Sequence, residues 1–402
     1  MQRVSRIRVK GSLASYADGY RTELASLGYT PGSVESQIWA MSQLSRWLEA
    51  QQLTVANLTS GRVEQFLTGR RESGCRQPLS KYKLRPMLAY LRSQDALPSE
   101  VSITPPVDEL VDRYRHYLVE ERDLAPRTIF NYESLARKFL GEHSRPGESG
   151  LGLQRLIGAD ITGFLLREAS RLTVGAAKNR VSQLRSLLRF LYLNDLIVAD
   201  LAVSVPPVAG WHQTRLPATL TASQVTHLLN SCDRSQATGL RDFAILTVLA
   251  RLGLRASEVA NLQLGDVDWR VGEILVRGKG RRNDHLPLPV DVGEAIAAYL
   301  HDGRPRIECR SLFLTRQAPL EGIQRAGVSH VVRKACVRIN IPPVGAHRLR
   351  HTLASEMLRQ GVALPEIGQV LRHRDLATTA AYAKIDRIAL RSVAQPWPGV
   401  AR

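Results

Sequence analysis

The chain has 402 residues, of which 44% are hydrophobic and 23% are charged, and it contains no low-complexity run. This composition excludes a disordered or collagen-like protein, and the length predicts about two to four domains with cores of their own. Lys and Arg outnumber Asp and Glu by 55 to 37, and the resulting net charge of +18 favours a polyanionic partner.

Cysteine content and hydropathy predict in which cellular compartment the protein resides. No apolar stretch reaches the roughly 18 residues that a membrane span needs, and the first 20 residues lack the apolar segment of a secretory signal. The four cysteines, Cys75, Cys232, Cys309 and Cys336, are scattered without a Cys-x-x-Cys pair. We therefore expect neither a disulfide framework nor a zinc site, and we expect a cytoplasmic protein without a membrane partner.

Two proline-rich stretches, residues 97–106 and 205–210, divide the chain. Proline lacks a backbone donor and disfavours helix in the residue before it, so both stretches are predicted linkers. The predicted domains are residues 1–103, 104–212 and 213–402. The third carries the largest charge excess, with 27 basic and 16 acidic residues.

The first two predicted domains resemble each other, and both have the periodicity of helices. Apolar and aromatic positions recur in the same order at offsets that drift from 94 to 100 residues. The matching pairs include Tyr20 and Tyr114, Leu24 and Leu118, Pro31 and Pro126, Phe66 and Phe164, and Leu84 and Leu184. We interpret this as an approximate duplication, with chance similarity between amphipathic helices as the alternative.

A helix predicted to start after Pro126 carries short polar and basic side chains together. This mixture suits a helix that enters a nucleic-acid groove, although a solvated basic face is the ordinary alternative. The candidate contacts are Arg127, Thr128, Asn131, Arg137 and Lys138.

The third domain mixes helix and strand. Thr221 is a plausible cap for one helix, and residues 240–250 form a strongly apolar second one. Two short strands, residues 274–276 and 285–288, flank a glycine-rich basic turn and predict a hairpin.

The turn of this hairpin reads Gly278-Lys279-Gly280-Arg281-Arg282. Glycines let a backbone approach a ligand closely, whereas many basic hairpin tips are merely soluble edges. Lys279 is one of eight lysines in a chain with 47 arginines. Because an amine can lose a proton and a guanidinium cannot, Lys279 is a candidate proton donor, and Arg281 and Arg282 are candidate phosphate contacts.

Three further segments carry reactive side chains. Arg255 follows a helix break and could pair with Glu258 three residues later or point into a cleft. His347 and Arg350 are three residues apart and share one helical face. His373 precedes Tyr382, which lies among alanines; such a tyrosine usually packs, but it can also be a nucleophile.

These segments together contain two arginines, two histidines, one lysine and one tyrosine, and no acidic residue among the six. The set comprises Arg255, Lys279, His347, Arg350, His373 and Tyr382. Arginines neutralise phosphoryl oxygens, histidine and lysine transfer protons, and tyrosine can hold a covalent phosphoryl group. Carboxylate clusters that would hold Mg²⁺ are absent from these segments, so we expect phosphoryl transfer without metal or cofactor.

The order Arg, Lys, His-x-x-Arg, His, Tyr and the nine-residue step from His373 to Tyr382 resemble the motifs of the tyrosine recombinase, or phage integrase, family. The resemblance covers about residues 215–390, and residues 107–200 resemble the helical core-binding domain of that family more loosely. It implies a mainly α fold with a small β-hairpin or sheet in the catalytic domain. Residues 1–103 look like a degenerate second copy of the core-binding domain. Arg372 departs from the family, which usually has glycine there.

The resemblance also implies roles for the site residues. Tyr382 would attack a DNA phosphodiester and form a 3′-phosphotyrosyl bond, while Arg255 and Arg350 bind the non-bridging oxygens. Lys279 would protonate the leaving 5′ oxygen. His347 would act as general base or acid, and His373 would hydrogen-bond the phosphate. Glu258 is implied as a supporting residue.

The implied activity is site-specific DNA recombination, in integration, excision or transposition. The implied partners are double-stranded DNA and further subunits, in a homotetramer or a mixed tetramer with related recombinases on two duplexes, associated with the nucleoid when bound. The alternatives are DNA relaxation by a type IB topoisomerase, which shares this chemistry, and a catalytically silent DNA-binding regulator.

Overall fold

The computed structural model describes residues 7–73, 79–98, 106–143, 151–209, 219–278 and 283–373, together with Thr379 and Tyr382. Within these residues the chain forms fifteen α-helices and one three-stranded sheet, so the prediction of a mainly helical fold with a small sheet is confirmed. The chain divides into two compact units, Met1–Ser99 with Arg215–Arg402, and Glu100–Thr214. No helix in the described ranges combines the length and apolar character needed to cross a membrane.

The N-terminal part of the first unit is a four-helix module with its own core. Its helices are α1 (Ala17–Ser26), α2 (Pro31–Ala50), α3 (Ser60–Glu72) and α4 (Lys81–Ser93). Thr30 caps α2, because its Oγ1 accepts the Ser33 N–H at 3.3 Å and Pro31 occupies the first helical position. Within the same unit the Leu320 N–H donates to the Leu27 carbonyl at 2.9 Å.

The second unit contains another four helices around a separate core. They are α5 (Pro106–Glu120), α6 (Pro126–His143), α7 (Gly158–Ala169) and α8 (Val174–Leu193). A short 3₁₀ segment, Leu201–Ser204, follows α8 in sequence and packs against it. α6 begins at Pro126, as the sequence predicts.

Residues paired by the sequence repeat are buried in corresponding helices of the two modules. Tyr20 in α1 and Tyr114 in α5 are both fully buried, and Phe66 in α3 and Phe164 in α7 are each 1% exposed. Equivalent positions therefore serve the same packing role in both cores, and the duplication itself stays a prediction.

The C-terminal part of the first unit holds the remaining helices and the sheet. Its elements are α9 (Ala222–Asn230), α10 (Ala237–Leu252), α11 (Ala256–Asn261), β1 (Val267–Asp268), β2 (Glu273–Arg277), β3 (Asn283–Pro287), α12 (Val290–Ala298), α13 (Arg325–Arg338), α14 (His347–Arg359) and α15 (Leu364–Val370). Thr221 caps α9 through a 3.1 Å bond from the Gln224 N–H, as predicted.

The sheet is antiparallel in the order β1-β2-β3. β2 and β3 pair with Ile274 opposite Leu286 and Leu275 opposite His285, so the predicted hairpin is confirmed. The turn between them, residues 279–282, lies outside the described residues. Ile274 and Val276 are fully buried and anchor the hairpin on the main core, which also contains the apolar helix α10.

Candidate active site

A buried carboxylate holds two arginines at one end of α11. Glu258 is 4% exposed and accepts from Arg255 Nη1 at 2.6 Å and from the Arg255 backbone N–H at 2.7 Å. Its second oxygen, Oε2, also accepts from Arg372 Nη2 at 2.7 Å. Glu258 therefore fixes the Arg255 guanidinium, whose side chain remains 33% exposed and accessible to a ligand.

Arg350 is a buried cation that joins two distant parts of the chain. It lies on α14 and is 2% exposed; Nη1 donates to the Gly253 carbonyl at 2.6 Å, and Nη2 donates to the Leu371 carbonyl. Burial, followed by the charge of Arg255, lowers the pKa of Arg350 to about 10. Arg350 thus stays positive at neutral pH and links the ends of α10 and α15.

Gly253 ends α10 in a left-handed conformation, with φ of +58°. A Cβ added there would lie 2.9 Å from the Cδ2 atoms of both Leu353 and Leu371. Left-handed backbone is also unfavourable for residues with a Cβ. Only glycine fits this position without strain, and its backbone conformation sets the direction of the carbonyl that accepts from Arg350.

We expect Gly253→Ala to lower the free energy of unfolding by about 2–4 kcal/mol, since backbone strain and overpacking add. Gly361→Ala is the matched control, because Gly361 also has a positive φ (+84°) but has no heavy atom within 4 Å of an added Cβ. The control should lose only about 1–2 kcal/mol. Chemical denaturation followed by circular dichroism measures both, and equal losses would contradict the packing argument.

Tyr382 lies between two imidazoles. Its side chain is 2% exposed, its hydroxyl is 2.8 Å from His351 Nδ1, and its ring stacks on that of His373 with centroids 6.3 Å apart. Burial raises the pKa of Tyr382, against the opposing charges of Arg350 and Arg255. The phenol is therefore protonated at neutral pH, and it lies within hydrogen-bond distance of His351 Nδ1.

The three histidines of the site are neutral at physiological pH. Burial lowers the pKa of His351 to about 4. Burial together with Arg350 and Arg255 does the same for His373, and the pKa of His347 also falls for these reasons. His373 Nδ1 lies 2.7 Å from Thr379 Oγ1, which orients its ring. Neutral imidazoles can accept protons, so the site holds bases beside a phenol and cations.

α15 ends in a Schellman motif that places His373. The His373 N–H donates to the Gly368 carbonyl and the Arg372 N–H to the Gln369 carbonyl, each at 2.9 Å. Arg372 occupies the left-handed position of this motif with φ of +55°. Glycine is the usual residue at such a position, because a Cβ costs about 1–2 kcal/mol there.

The structure brings most of the sequence-predicted site residues together. Arg255, Glu258, His347, Arg350, His373 and Tyr382 lie in one electrostatically coupled group. Lys279, Arg281 and Arg282 lie outside the described residues.

Two members of the site were missed in the sequence. His351 follows His347 by four residues, and this helical spacing was a usable signal. Arg372 stood out only as an unusual residue before His373, and its contact with Glu258 spans 114 residues. No local pattern predicts a contact over that separation.

The candidate DNA contacts on α6 fall into two groups. Arg137 donates to Asp108 at 3.1 Å and Lys138 donates to Glu168, so both are ion-paired within their own unit. Arg127 is exposed beside the Phe130 ring at 5.2 Å. Asn131 is exposed and Thr128 is partly buried. Arg127 and Asn131 are the residues of this set best placed to meet a partner.

Comparisons with known proteins connect this geometry to a family. Residues 218–387 match the phage integrase family, and residues 111–194 match the N-terminal SAM-like domain of phage integrases. The integrase/recombinase y4rA of Sinorhizobium fredii is 40% identical over 400 residues, which cover 98% of this chain and 96% of the relative. The chain belongs to the phage integrase family. It is a tyrosine site-specific recombinase by class, as its motifs predict.

Further relatives agree with this placement. The recombinase is 28% identical to the tyrosine recombinase XerD of Listeria monocytogenes, over 71% of this chain and 97% of XerD. XerH bound to palindromic difH substrate has a TM-score of 0.55 at 18% identity, over 70% of this chain and 83% of XerH. A lambda integrase (75–356) dimer bound to a COC′ core site has a TM-score of 0.53 at 15% identity, over 73% and 98%. Both structures show that the fold is shared.

Proposed function

We propose that this recombinase breaks and rejoins double-stranded DNA through a covalent bond between Tyr382 and a 3′ phosphate. One observation carries the proposal: the Tyr382 hydroxyl lies 2.8 Å from Nδ1 of His351, a neutral imidazole, beside the charges of Arg255 and Arg350. A nucleophile, a proton acceptor and charge for a phosphate are the three parts that metal-free phosphoryl transfer needs.

In the cleavage step, Tyr382 Oη forms a bond to phosphorus while the bond from phosphorus to the 5′ oxygen breaks. The phenolic proton passes to His351 Nδ1. Arg255 and Arg350 balance the charge that grows on the non-bridging oxygens. Lys279, which the sequence predicts to lie in a turn, supplies the proton that the leaving 5′ oxygen takes up.

The two other histidines complete the proposed arrangement. With His373 Nδ1 on the Thr379 hydroxyl, Nε2 can carry a proton and donate to the phosphate. The rings of His347 and His351 meet edge to face at 5.3 Å, so His347 can assist His351 in proton transfer. The phosphotyrosyl bond retains the energy of the phosphodiester, so a 5′ hydroxyl from another strand can reseal the break without ATP.

The partner in this reaction is duplex DNA, acted on by four subunits on two duplexes, identical or mixed with related recombinases. The net charge of +18 supports binding that depends on phosphates and weakens with salt.

A covalent trap tests the proposal. The protein is incubated in EDTA with nicked duplexes tiled across the DNA flanking its gene, denatured in SDS, and examined for DNA attached to protein. We expect an adduct on one fragment, with the DNA mapped to Tyr382 by mass spectrometry. Attachment at another residue would refute the assignment of the nucleophile. Binding without any adduct would favour the silent-regulator alternative, and relaxation of supercoiled DNA without site preference would favour a topoisomerase.

His351 should control the rate of adduct formation. His351→Ala is expected to slow single-turnover cleavage by about 10²-fold, the scale of one lost general base. His351→Asn, whose Oδ1 can accept a hydrogen bond near the former Nδ1 position but cannot take up the proton, should stay about as slow as His351→Ala.

The pH profile follows from the lowered pKa. Because the pKa of His351 is about 4, its imidazole is free to accept a proton at neutral pH. It becomes protonated, and can no longer act as a base, as pH falls through that value. Wild-type cleavage should therefore decline on the acid side. His351→Asn should decline less steeply, since only His347 and His373 still titrate. An unchanged rate in His351→Ala would argue against this role.

A further inference from the structure

The guanidinium of Arg372 is buried with fewer hydrogen-bond acceptors than its N–H groups need. Its side chain is 8% exposed, and Nη2 is bonded to Glu258. Nε lies 3.6 Å from Asp284 Oδ2, beyond hydrogen-bond distance, and Nη1 has no hydrogen-bond partner among the described residues. Buried N–H groups without partners are unfavourable, so their presence indicates a missing acceptor.

The backbone at Arg372 supports the same interpretation. A long side chain occupies a left-handed position, with φ of +55°, where glycine would be free of strain. Strained residues persist where the surrounding structure holds them, and they are concentrated at functional sites. The strain at Arg372 brings a second guanidinium, after that of Arg255, against Glu258.

The charges around Arg372 favour the binding of an anion. Arg255, Arg350 and Arg372 contribute three positive charges, and burial with the nearby Arg255 charge lowers the pKa of Arg372. Among the described residues, the carboxylates that face Arg372 are Glu258 and, at 3.6 Å from Nε, Asp284. The group therefore keeps positive charge that these carboxylates do not balance, which suits a phosphodiester and favours its more negative transition state.

We propose that Arg372 is a third phosphate-binding arginine of this recombinase, and that its Nη1 donates to a non-bridging oxygen of the scissile phosphate. This inference rests on the proposed function. It differs from a purely positioning role, in which Arg372 would only hold Glu258 and thereby orient Arg255.

A neutral phosphate analogue tests whether Arg372 acts on the charge of the phosphate, and an Arg255 variant tests whether it acts through Arg255. Single-turnover adduct formation is measured on duplexes with either a phosphodiester or an uncharged methylphosphonate at the cleavage position. Arg372→Gln should slow cleavage of the phosphodiester by about 10²-fold but of the methylphosphonate by less than about 3-fold, because the neutral analogue lacks the charge that Arg372 binds. Equal losses on both substrates would overturn the proposal. A positioning residue acts only through Arg255, so under the proposal Arg372→Gln should still slow phosphodiester cleavage in an Arg255→Gln background; no further loss there would overturn the proposal in favour of positioning.

Two further variants guard against misfolding. Arg372→Gly installs the family's usual residue and removes the backbone strain, so a slow but stable Arg372→Gly protein supports the proposal. Cleavage by Arg372→Gly at the wild-type rate would overturn it. Arg359→Gln is the matched control, since Arg359 lies on α14 with a side chain 51% exposed; it should cleave like wild type on both substrates.

A binding measurement separates this inference from the proposed function. In a Tyr382→Phe background, Arg372→Gln should weaken binding of the phosphodiester duplex by about 10-fold or more, as expected for a lost hydrogen bond to a charged group. Binding of the methylphosphonate duplex should change little. If the wild-type protein forms no adduct but this difference is found, the proposed chemistry fails and the role of Arg372 stands. Equal weakening on both duplexes refutes the role of Arg372 even where adducts form.

Discussion

Replacing Tyr382 with phenylalanine is expected to abolish the covalent protein–DNA adduct while leaving DNA affinity within about 2-fold of wild type. Under the proposed function, the phenol forms the bond to phosphorus, whereas arginines bind the phosphate. Losing the hydroxyl leaves His351 without its 2.8 Å partner and should reduce the free energy of unfolding by only about 1 kcal/mol. The fall in single-turnover rate should therefore reach at least about 10³-fold without loss of fold.

A second buried tyrosine provides the control for this substitution. Tyr299 is 1% exposed in the same unit, and its hydroxyl accepts from the Leu314 N–H at 3.3 Å. Tyr299→Phe removes a comparable hydroxyl but should keep full cleavage. Denaturing gels and a DNA-binding titration measure both variants. An adduct that persists in Tyr382→Phe would move the nucleophile elsewhere in the chain.

Replacing Arg350 with alanine should damage both stability and cleavage. The substitution leaves the Gly253 and Leu371 carbonyls without their donor and opens a cavity at a residue that is 2% exposed. We expect a loss of about 3–5 kcal/mol in the free energy of unfolding. Cleavage should fall by a further 10²–10³-fold, roughly the effect of losing one donor to a developing oxyanion.

Arg350→Lys separates the effect on stability from the effect on cleavage, and Arg359→Ala is the control. Lysine keeps the charge but cannot reach two carbonyls with a planar fork, so Arg350→Lys should retain more stability than Arg350→Ala and remain slow in cleavage. Arg359, exposed on the same helix and paired with Glu356 at 2.7 Å, should tolerate alanine with a change within about 0.5 kcal/mol. Full activity in Arg350→Lys would show that charge alone suffices at this position.

Local patterns predict most of the secondary structure that matters here. Pro126 begins α6, Thr221 caps α9, and the apolar run at 240–250 lies within α10, because capping and helical periodicity depend on residues a few positions apart. The hairpin likewise follows from strand residues on either side of a glycine-rich turn. The short strand β1 has only two residues and gives no periodic signal, and it is defined by its pairing with β2.

The candidate site is less predictable, since its defining contacts are long-range. The Arg255–Glu258 pair is visible in sequence as an i, i+3 spacing, and the structure contains it. The bonds of Arg350 to Gly253 and of Arg372 to Glu258 span 97 and 114 residues, and only the folded chain reveals them. Ion pairs such as Arg137 with Asp108 similarly show which basic residues are already engaged.

The two carbonyl acceptors of Arg350 lie far apart in sequence, which has a consequence for the order in which the proposed site is completed during synthesis. One acceptor belongs to Gly253 and the other to Leu371, and the tyrosine lies eleven residues later still. A nascent chain that has not yet reached Leu371 offers Arg350 only the Gly253 carbonyl, and it lacks the tyrosine that we propose as the nucleophile. Under the proposed function, a polypeptide that ends before Tyr382 therefore lacks the nucleophile and cannot cleave DNA.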